Sequence, residues 1–178
     1  MRALFTRITV CAAALGAFSC ASEASDASLP GPSGAEIAKE LFSAPEGDVD
    51  RGSIEGLYQA GEDLRVRISR DTITAAYRTD GGALVGVRAD VKFTILAQGV
   101  RRWEGSIVTS ATSYSSPADK EARVTLELQA GTFDLIAKYN PGVITGELPL
   151  VITDPNKEER FARWTFLPGI AELRKIGK

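Results

Sequence analysis

The chain has 178 residues, a formal net charge of −2 and no histidine, and its length allows one domain with a short extension. Hydrophobic residues make up 44% and charged residues 25%, which is ordinary globular composition and excludes a disordered chain or a polytopic membrane protein. The lack of histidine excludes His-based catalytic triads and most catalytic zinc sites. The nearly balanced charge argues against nucleic-acid binding.

The first 19 residues have the pattern of a signal peptide. Arg2 and Arg7 precede an apolar run over residues 8–18, which has the length of a signal-peptide core and is shorter than the roughly 20 residues of a spanning helix. A buried N-terminal helix is the alternative interpretation. Small residues after the run and the polar stretch beyond it favour export, so we expect residues 1–19, including Cys11, to be removed.

The end of this segment resembles a bacterial lipobox, the motif that directs lipidation of a cysteine. Ala17-Phe18-Ser19-Cys20 places a small residue before the cysteine, and the resemblance implies that Cys20 becomes a lipidated N-terminus. Residue 21 is not the aspartate that commonly retains lipoproteins at the inner membrane of enteric bacteria, so an outer-membrane anchor in a Gram-negative bacterium is implied. The alternative is ordinary cleavage after Ala21, which would leave no cysteine. With either cleavage the mature chain cannot form an internal disulfide.

Residues 20–34 are predicted to be a flexible tether between the anchor and a folded domain over residues 35–178. Ser, Ala, Pro and Gly dominate this segment, so it cannot bury enough surface to offset the entropy lost on ordering. The folded domain opens with a short helix predicted over residues 35–44, because Ile37 and Leu41 lie on one side of it.

From residue 53 onward the hydrophobic period changes from helical to two. Alternation on this scale marks antiparallel strands with one face in a core and the other in water. The clearest run lies within residues 83–98, where every second residue is apolar. In a closed barrel this apolar face lines the interior, so its residues are the candidate ligand-binding positions. They are Val85, Val87, Ala89, Val91, Phe93 and Ile95.

The predicted fold is all-β: a single antiparallel up-and-down barrel of about eight or nine strands with a short helix at each end. Short turns separate the strands, and no helical crossover is predicted that would allow parallel pairing. Closure into a barrel removes the exposed edge strands. The C-terminal helix follows Pro168 and Gly169, with Ile170, Leu173 and Ile176 on one side. The strands are predicted at residues 53–59, 63–69, 72–79, 83–98, 100–110, 121–130, 132–139, 142–153 and 160–166.

Three features of the second half complete this prediction. The Ser- and Thr-rich residues 106–116 are interpreted as a mobile hairpin loop, and Ala130-Gly131 as a turn between two alternating runs. Arg101 and Arg102 put two cations beside Trp103 and could contact an anionic glycan or lipid headgroup. A solvated strand end with Trp103 turned into the core is the favoured interpretation.

Together these features resemble the lipocalin-like barrels, with a short N-terminal helix, a Gly-x-aromatic step into the first strand and a meander of strands. Gly56-Leu57-Tyr58 stands where that family has Gly-x-Trp, with tyrosine in place of tryptophan. In lipocalins a late-strand arginine packs over this aromatic residue and closes the base of the barrel. The resemblance implies the same role for Arg160 or Arg163 over Tyr58. The chain is also similar to the small lipocalin-type lipoproteins of Gram-negative bacteria.

The sequence predicts no catalytic centre, no metal site and no cofactor. Without histidine, a nucleophile would need Lys, Asp or Glu as its base, and Ser116 and Lys120 have the wrong spacing for a Ser-x-x-Lys motif. By alternation, the strand acids Asp134 and Glu147 face water instead of flanking a shared cleft.

The expected function is therefore non-catalytic. An eight-stranded barrel can hold one small ligand, and the predicted interior face carries no charge, so the ligand would be apolar, such as an acyl chain. A filled interior is the alternative, in which the domain is a protein-interaction or inhibitor module at the cell envelope. The expected partners are the membrane, through the lipid anchor, and either that ligand or another protein, with no nucleic acid.

Overall fold

The structure is a computed structural model, and the residues that it describes are 32–49, 52–96, 102–115, 123–137, 142–155 and 170–178. One helix and eleven strands lie in these ranges. The helix is neither long nor apolar enough to cross a membrane, and no other described segment is such a helix. The elements are α1 (Gly34–Ser43), β1 (Gly56–Ala60), β2 (Leu64–Ile68), β3 (Thr72–Arg78), β4 (Leu84–Leu96), β5 (Arg102–Ile107), β6 (Ala111–Tyr114), β7 (Thr125–Leu128), β8 (Gly131–Ala137), β9 (Val143–Glu147), β10 (Leu150–Thr153) and β11 (Ile170–Gly177).

Eight strands close a barrel in which neighbouring strands pair antiparallel. The order around the barrel is β1-β2-β3-β4-β5-β8-β9-β11, and β11 pairs back with β1. Tyr58 on β1 stands opposite Val66 on β2 and Lys175 on β11, so the first and last strands are neighbours. The prediction of a closed antiparallel barrel is confirmed.

The other three strands form a second sheet in the order β10-β7-β6. Each is separated by two or three residues from a barrel strand, because β5 leads into β6, β7 into β8, and β9 into β10. Ile107 pairs with Gly131 before the break and Ala111 pairs with Leu128 after it, so the ladder resumes in nearly the same register. The second sheet therefore continues three bent barrel strands, so the described strands form a meander of eight in which β5, β8 and β9 are extended by β6, β7 and β10.

Hydrogen bonds connect the three bends to one another. The backbone N–H of Ala130 donates to Ser110 Oγ at 2.8 Å, and the N–H of Gln129 donates to the carbonyl oxygen of Pro149 at 2.8 Å. The bends thus lie at one level of the barrel wall. Beyond that level the apolar side chains of the second sheet join the same core as those of the barrel.

Three sequence predictions for this half of the chain are wrong. Residues 106–116 contain strand β6 and are not simply a loop, and residues 142–153 are broken into two strands. Ala130 and Gly131 do not form a hairpin, because β7 and β8 pair with different strands. Alternation continues from β5 into β6 and from β9 into β10, so the sequence gives little sign of those two bends. Between β7 and β8 the buried positions change from even to odd residue numbers, a shift that a hairpin turn would also produce. The strand predicted at residues 160–166 lies outside the described residues.

The predicted C-terminal helix is also wrong, since Ile170–Gly177 forms strand β11. The apolar spacing of this segment fits a helix, but its backbone pairs with β1 on one side and β9 on the other. Leu173 is buried in the barrel core, whereas Ile176 packs on the outer wall against α1. The pairing that closes the barrel overrides the local helical pattern.

The barrel core is one cluster of apolar side chains from both sheets. Tyr58 and Tyr77 are the largest fully buried side chains of the described residues. The Tyr77 hydroxyl donates to Asp154 Oδ2 at 3.0 Å, which links β3 to the end of β10. From the second sheet and its bends the core includes Val124, Leu126, Leu128, Leu148, Leu150 and Ile152.

Both ends of helix α1 are capped. At the N-terminus, Ser33 Oγ accepts a hydrogen bond from the N–H of Glu36, and the Glu36 carboxylate accepts one from the N–H of Ser33. The last turn contains no basic residue, and Arg65 of β2 supplies one from the barrel wall. Its guanidinium donates to the carbonyl oxygen of Leu41 at 3.1 Å and to that of Phe42 at 3.4 Å. A strand cation thus binds carbonyls at the C-terminal end of the helix, where the Leu41 carbonyl also accepts the N–H of Ala44.

Helix α1 packs on the outer wall of the barrel through apolar side chains that include Ile37 and Ala38. At Gly86 on β4 the wall is so close that an added Cβ would lie 2.5 Å from the carbonyl oxygen of Gly34 and 2.7 Å from the backbone nitrogen of Ala38. A residue without a side chain is needed for this approach. The predicted helix at residues 35–44 is confirmed, and it lies outside the barrel.

Candidate functional site

The predicted ligand-binding positions lie along β4, where alternation turns them toward the barrel core. The first four of the six positions, from Val85 to Val91, are each at most 5% exposed. Phe93 is half-buried, and its ring meets that of Phe133 edge to face at a centroid distance of 5.6 Å. The side chain of Ile95 lies outside the described part of the chain. The four buried positions are Val85, Val87, Ala89 and Val91.

Buried side chains of β2 and β3 surround the first two of these positions. Ala75 pairs with Val87 across the β3–β4 ladder, and Tyr77 pairs with Val85. Ala75, Tyr77 and the nearby Val66 are all 0% exposed. A void next to these three side chains that could hold a water molecule would leave part of their surface exposed, so the core is packed beside Val85 and Val87. The fold brings the predicted positions together as core side chains in contact with their neighbours.

The core is less closed where β4 ends and β5 begins. Phe93 and Trp103 pack against the core but are only half-buried, and we call this pair the aromatic end. Trp103 is turned toward the core, as the sequence favours, while Arg102 is exposed. Arg102 donates to Asp134 Oδ2 at 2.7 Å and lies 2.9 Å from Glu104 Oε1. The hydrogen bond and charge of Asp134, and then the charge of Glu104, raise the pKa of Arg102.

The predicted barrel-base motif is described in part. Tyr58 is fully buried, and its hydroxyl donates to the carbonyl oxygen of Ile54 at 2.6 Å. Burial raises the pKa of the Tyr58 phenol well above its ordinary value. Gly56, also buried, opens β1. Arg160 and Arg163 lie outside the described residues, so their stacking on Tyr58 stays a prediction.

A lysine of the last strand lies over Tyr58. Lys175 places its Nζ 5.8 Å from the centre of the Tyr58 ring, which is within cation–π range, and donates to the carbonyl oxygen of Ser53 at 2.8 Å. Lys175 is only 5% exposed. The sequence does not predict this contact, because the segment is expected to form a helix in which Lys175 lies off the apolar side. In a strand, Lys175 shares the inward face with Leu173, and that alternation is the signal that could have found it.

Two neighbouring grooves lie along the outer wall. The first has a volume of about 290 Å³ and runs between α1 and strands β2 to β4. It contains Arg67, Thr74 and Arg88, which form one cross-strand row, and Arg67 pairs with Glu40 at 2.6 Å. The second, of about 400 Å³, shares Arg67 and extends to Lys178. Neither groove coincides with the predicted interior site.

The strand acids form a row on the outer wall of β5, β8 and β9. Glu104 stands opposite Asp134, and Asp134 stands opposite Glu147. Arg102 offsets part of their charge by pairing with the first two. Within the described ranges, no three His, Cys, Asp or Glu side chains are grouped so that they could hold a metal ion.

No family model, curated protein or solved structure matches this chain. The lipobox and lipocalin-like resemblances therefore rest on the residues named above. The function has to be argued from the burial, contacts and charges of the described residues.

Proposed function

We propose that this protein is a non-catalytic lipoprotein of the bacterial cell envelope, in which a packed lipocalin-like barrel presents its surface to a protein partner. The main support is the burial of the β4 face, because Val85, Val87, Ala89 and Val91 are each at most 5% exposed. A carrier needs space where its ligand sits, whereas a close-packed core stabilises a scaffold without any ligand. The loops and the outer wall are then free to bind the partner.

The proposed location is the outer membrane, with Cys20 as the lipidated attachment point. The signal-peptide pattern of residues 1–19 and the lipobox-like residues 17–20 support it. Several acyl chains on one cysteine are enough for stable anchoring, and residues 20–34 would separate the folded domain from the bilayer. Residues 1–31 lie outside the described residues, so the support for the anchor comes from the sequence.

Binding of a fluorescent fatty acid to the full chain tests whether the barrel is packed. We expect no saturable probe binding by the wild type. Ala89→Trp should lower the free energy of unfolding by about 1–3 kcal/mol or more, because an indole overpacks a filled core. Thr94→Trp, at an exposed β4 position, is the matched control and should change stability by less than about 0.5 kcal/mol. Saturable binding that Ala89→Trp abolishes while the fold survives would contradict the packed barrel and support a carrier.

The protein partner is tested by photo-crosslinking in cells. A photoreactive amino acid at Arg88, which lines the first groove, should give one crosslinked species of defined mass. The same amino acid at Glu62, in the exposed turn after β1, is the control and should give none. A set of exposed positions that yields no crosslinked protein would overturn the partner-binding proposal.

A second candidate function is the binding of a small apolar ligand at the aromatic end. It is supported by Phe93 and Trp103, which face the core and are only half-buried. A ligand there would contact two aromatic rings without entering the packed region around Ala89. In that case probe binding should be weakened by Phe93→Ser and should survive Ala89→Trp, the reverse of what an interior ligand would show.

A further inference from the structure

The second sheet turns one side to the core and the other to solvent. Leu126 and Ile152 lie in the core, so the residues next to them in sequence point outward. In one of its two outward rows, Tyr114 of β6 pairs with Thr125 of β7, and Thr125 pairs with Thr153 of β10. We call the outward side the threonine face. Its residues are Thr112, Tyr114, Thr125, Glu127, Val151 and Thr153.

Helix α1 covers the outer wall of the first barrel strands, but among the described residues no element packs on the threonine face. Tyr114 is 57% exposed, the largest value for a large hydrophobic side chain in the described part of the chain. Val108, in the adjoining bend, is 49% exposed. A sheet face with an exposed aromatic ring and few charges is typical of a surface that binds another protein.

Two opposite charges lie on this side of the sheet, Arg123 two residues before β7 and Glu127 within it. Arg123 and Glu127 are four residues apart, or about 13 Å along a strand, and Thr125 lies midway between them. The Arg123 guanidinium is 3.5 Å from the centre of the Tyr114 ring, which places it on the outward side. Neither charge forms an ion pair within the described part of the chain.

We propose that the threonine face is the interface of a homodimer, with two protomers packed face to face about a two-fold axis at Thr125. In such an interface every contact occurs twice. An axis in the interface plane, across the strands, places Arg123 of each protomer opposite Glu127 of its partner and brings the two Tyr114 rings together. An axis along the strands would instead place the two Arg123 side chains opposite each other, and likewise the two Glu127 side chains. The charge pattern therefore selects the first arrangement.

A second copy fits this face because Arg123 and Glu127 make the threonine face complementary in charge to another copy of itself. Facing sheets pack about 10 Å apart, with their strands crossing at roughly 30° because each sheet is twisted, and two three-stranded faces can adopt this arrangement. The strands have only four residues each, so the buried area is below the roughly 800 Å² per partner of a standard interface. We therefore expect a weak dimer. Neither the packed barrel nor the lipid anchor enters this inference, so it is independent of the proposed function.

Sedimentation equilibrium of the full chain in mild detergent tests the dimer. The wild type should dimerise, and Arg123→Glu or Glu127→Arg alone should raise the dissociation constant about tenfold or more, because each variant opposes like charges twice. The double variant restores opposite charges and should recover wild-type dimerisation. The two positions are too far apart in one protomer to pair with each other, so this rescue requires the partner. A monomeric wild type, or a double variant no better than the single ones, would overturn the proposal.

Cross-linking gives a measurement that does not depend on charge. Thr125→Cys lies on the axis and should form dimers with a short bismaleimide that spans the roughly 10 Å between facing sheets. Thr132→Cys, at an exposed position on β8, is the control and should react with the reagent without dimerising. Equal cross-linking of the two variants would mean random collision. Attachment of Thr125→Cys to a different protein would assign the face to another partner. Either result contradicts the homodimer.

Discussion

Tyr58 and Lys175 are buried side chains that bring a phenol and an ammonium group into an otherwise apolar core. They stand opposite each other on β1 and β11, and each donates to a backbone carbonyl just before β1, Tyr58 to Ile54 and Lys175 to Ser53. A buried polar group that lacks a partner costs about 1–3 kcal/mol, so these bonds make the burial tolerable. They also tie the segment before β1 to the first and last strands.

Replacing Tyr58 tests this arrangement. Tyr58→Ala should lower the free energy of unfolding by about 3–5 kcal/mol, as loss of a buried aromatic side chain does. Tyr58→Phe removes only the hydroxyl, so its effect should be nearer 1 kcal/mol. Urea denaturation measures both, with Tyr114→Ala at an exposed position as the control. A change below about 0.5 kcal/mol for Tyr58→Ala would place this residue outside the core.

The buried phenol also predicts a dependence on pH. Burial raises the pKa of Tyr58 well above the ordinary value of 10.0, so the folded protein holds this proton more tightly than the unfolded chain does. The stabilisation is therefore complete below pH 10 and is lost progressively as the pH rises above that value. Tyr58→Phe should show a shallower fall of unfolding free energy between about pH 10 and 12 than the wild type. Equal slopes would mean that Tyr58 ionises in the fold as it does in the unfolded chain.

At the scale of elements, helix α1 depends on the wall beneath it. Ten residues are too few for a stable helix in water, so contacts with the barrel have to stabilise it. Arg65 binds carbonyls of its last turn, and Arg67 pairs with Glu40. The Arg78 guanidinium lies 4.2 Å from the centre of the Phe42 ring. The helix is therefore held by strand cations as well as by apolar packing.

Gly86→Ala should loosen α1 while the barrel stays closed. The added methyl would meet the backbone of Gly34 and Ala38, which cannot turn aside as a side-chain end can, at a cost of about 1–3 kcal/mol. Hydrogen exchange at the Ile37 amide should then speed up more than exchange in the barrel strands. Gly47→Ala, where an added Cβ would have open space, is the matched control. Unchanged exchange in Gly86→Ala would show that the helix has room to shift.

Alternation in the sequence predicts which segments are strands, but it does not predict how they pair. Residues 64–68 alternate buried and half-buried positions as expected, because one face of a strand meets a core whatever its neighbours are. The bends of β5 and β9 leave the alternation intact, and the phase shift near Ala130 is one that a hairpin turn would also produce, so all three bends become visible only in the pairing. The last strand carries apolar residues at helical spacing, and contacts with β1 and β9 decide its conformation.

The same limit applies to the candidate site. The sequence correctly turns Val85 and Val87 toward the core, because that depends on β4 alone. Whether the space beside them is filled depends on Tyr77 and Val66, which reach the same place from other strands. The cation over Tyr58 likewise comes from the far end of the chain. Features set by one segment can be predicted from its pattern, and features set by two distant segments cannot.

For the whole molecule, stability has to come from the core shared by the two sheets. Both cysteines lie in the first 20 residues, so no disulfide can brace the described domain. The bends of β5, β8 and β9 carry the second sheet into the core, which adds Leu126, Leu150 and Ile152 to the barrel interior. Residues 32–178 form one compact unit, and the proposed lipid anchor precedes that unit. Attachment and folding should therefore be separable.

In the proposed function, attachment to the membrane depends on Cys20. Residues 21–34 contain no Lys or Arg, so no basic patch would add electrostatic attraction to anionic lipids. Cys20→Ser should therefore move the protein from a detergent-extractable membrane pellet to the soluble fraction, or leave an unprocessed precursor. Any processed protein should keep the wild-type thermal midpoint, because the folded unit is unchanged. Cys11→Ser is the control and should remain in the pellet. If Cys20→Ser fractionates as the wild type does, the lipobox interpretation is wrong.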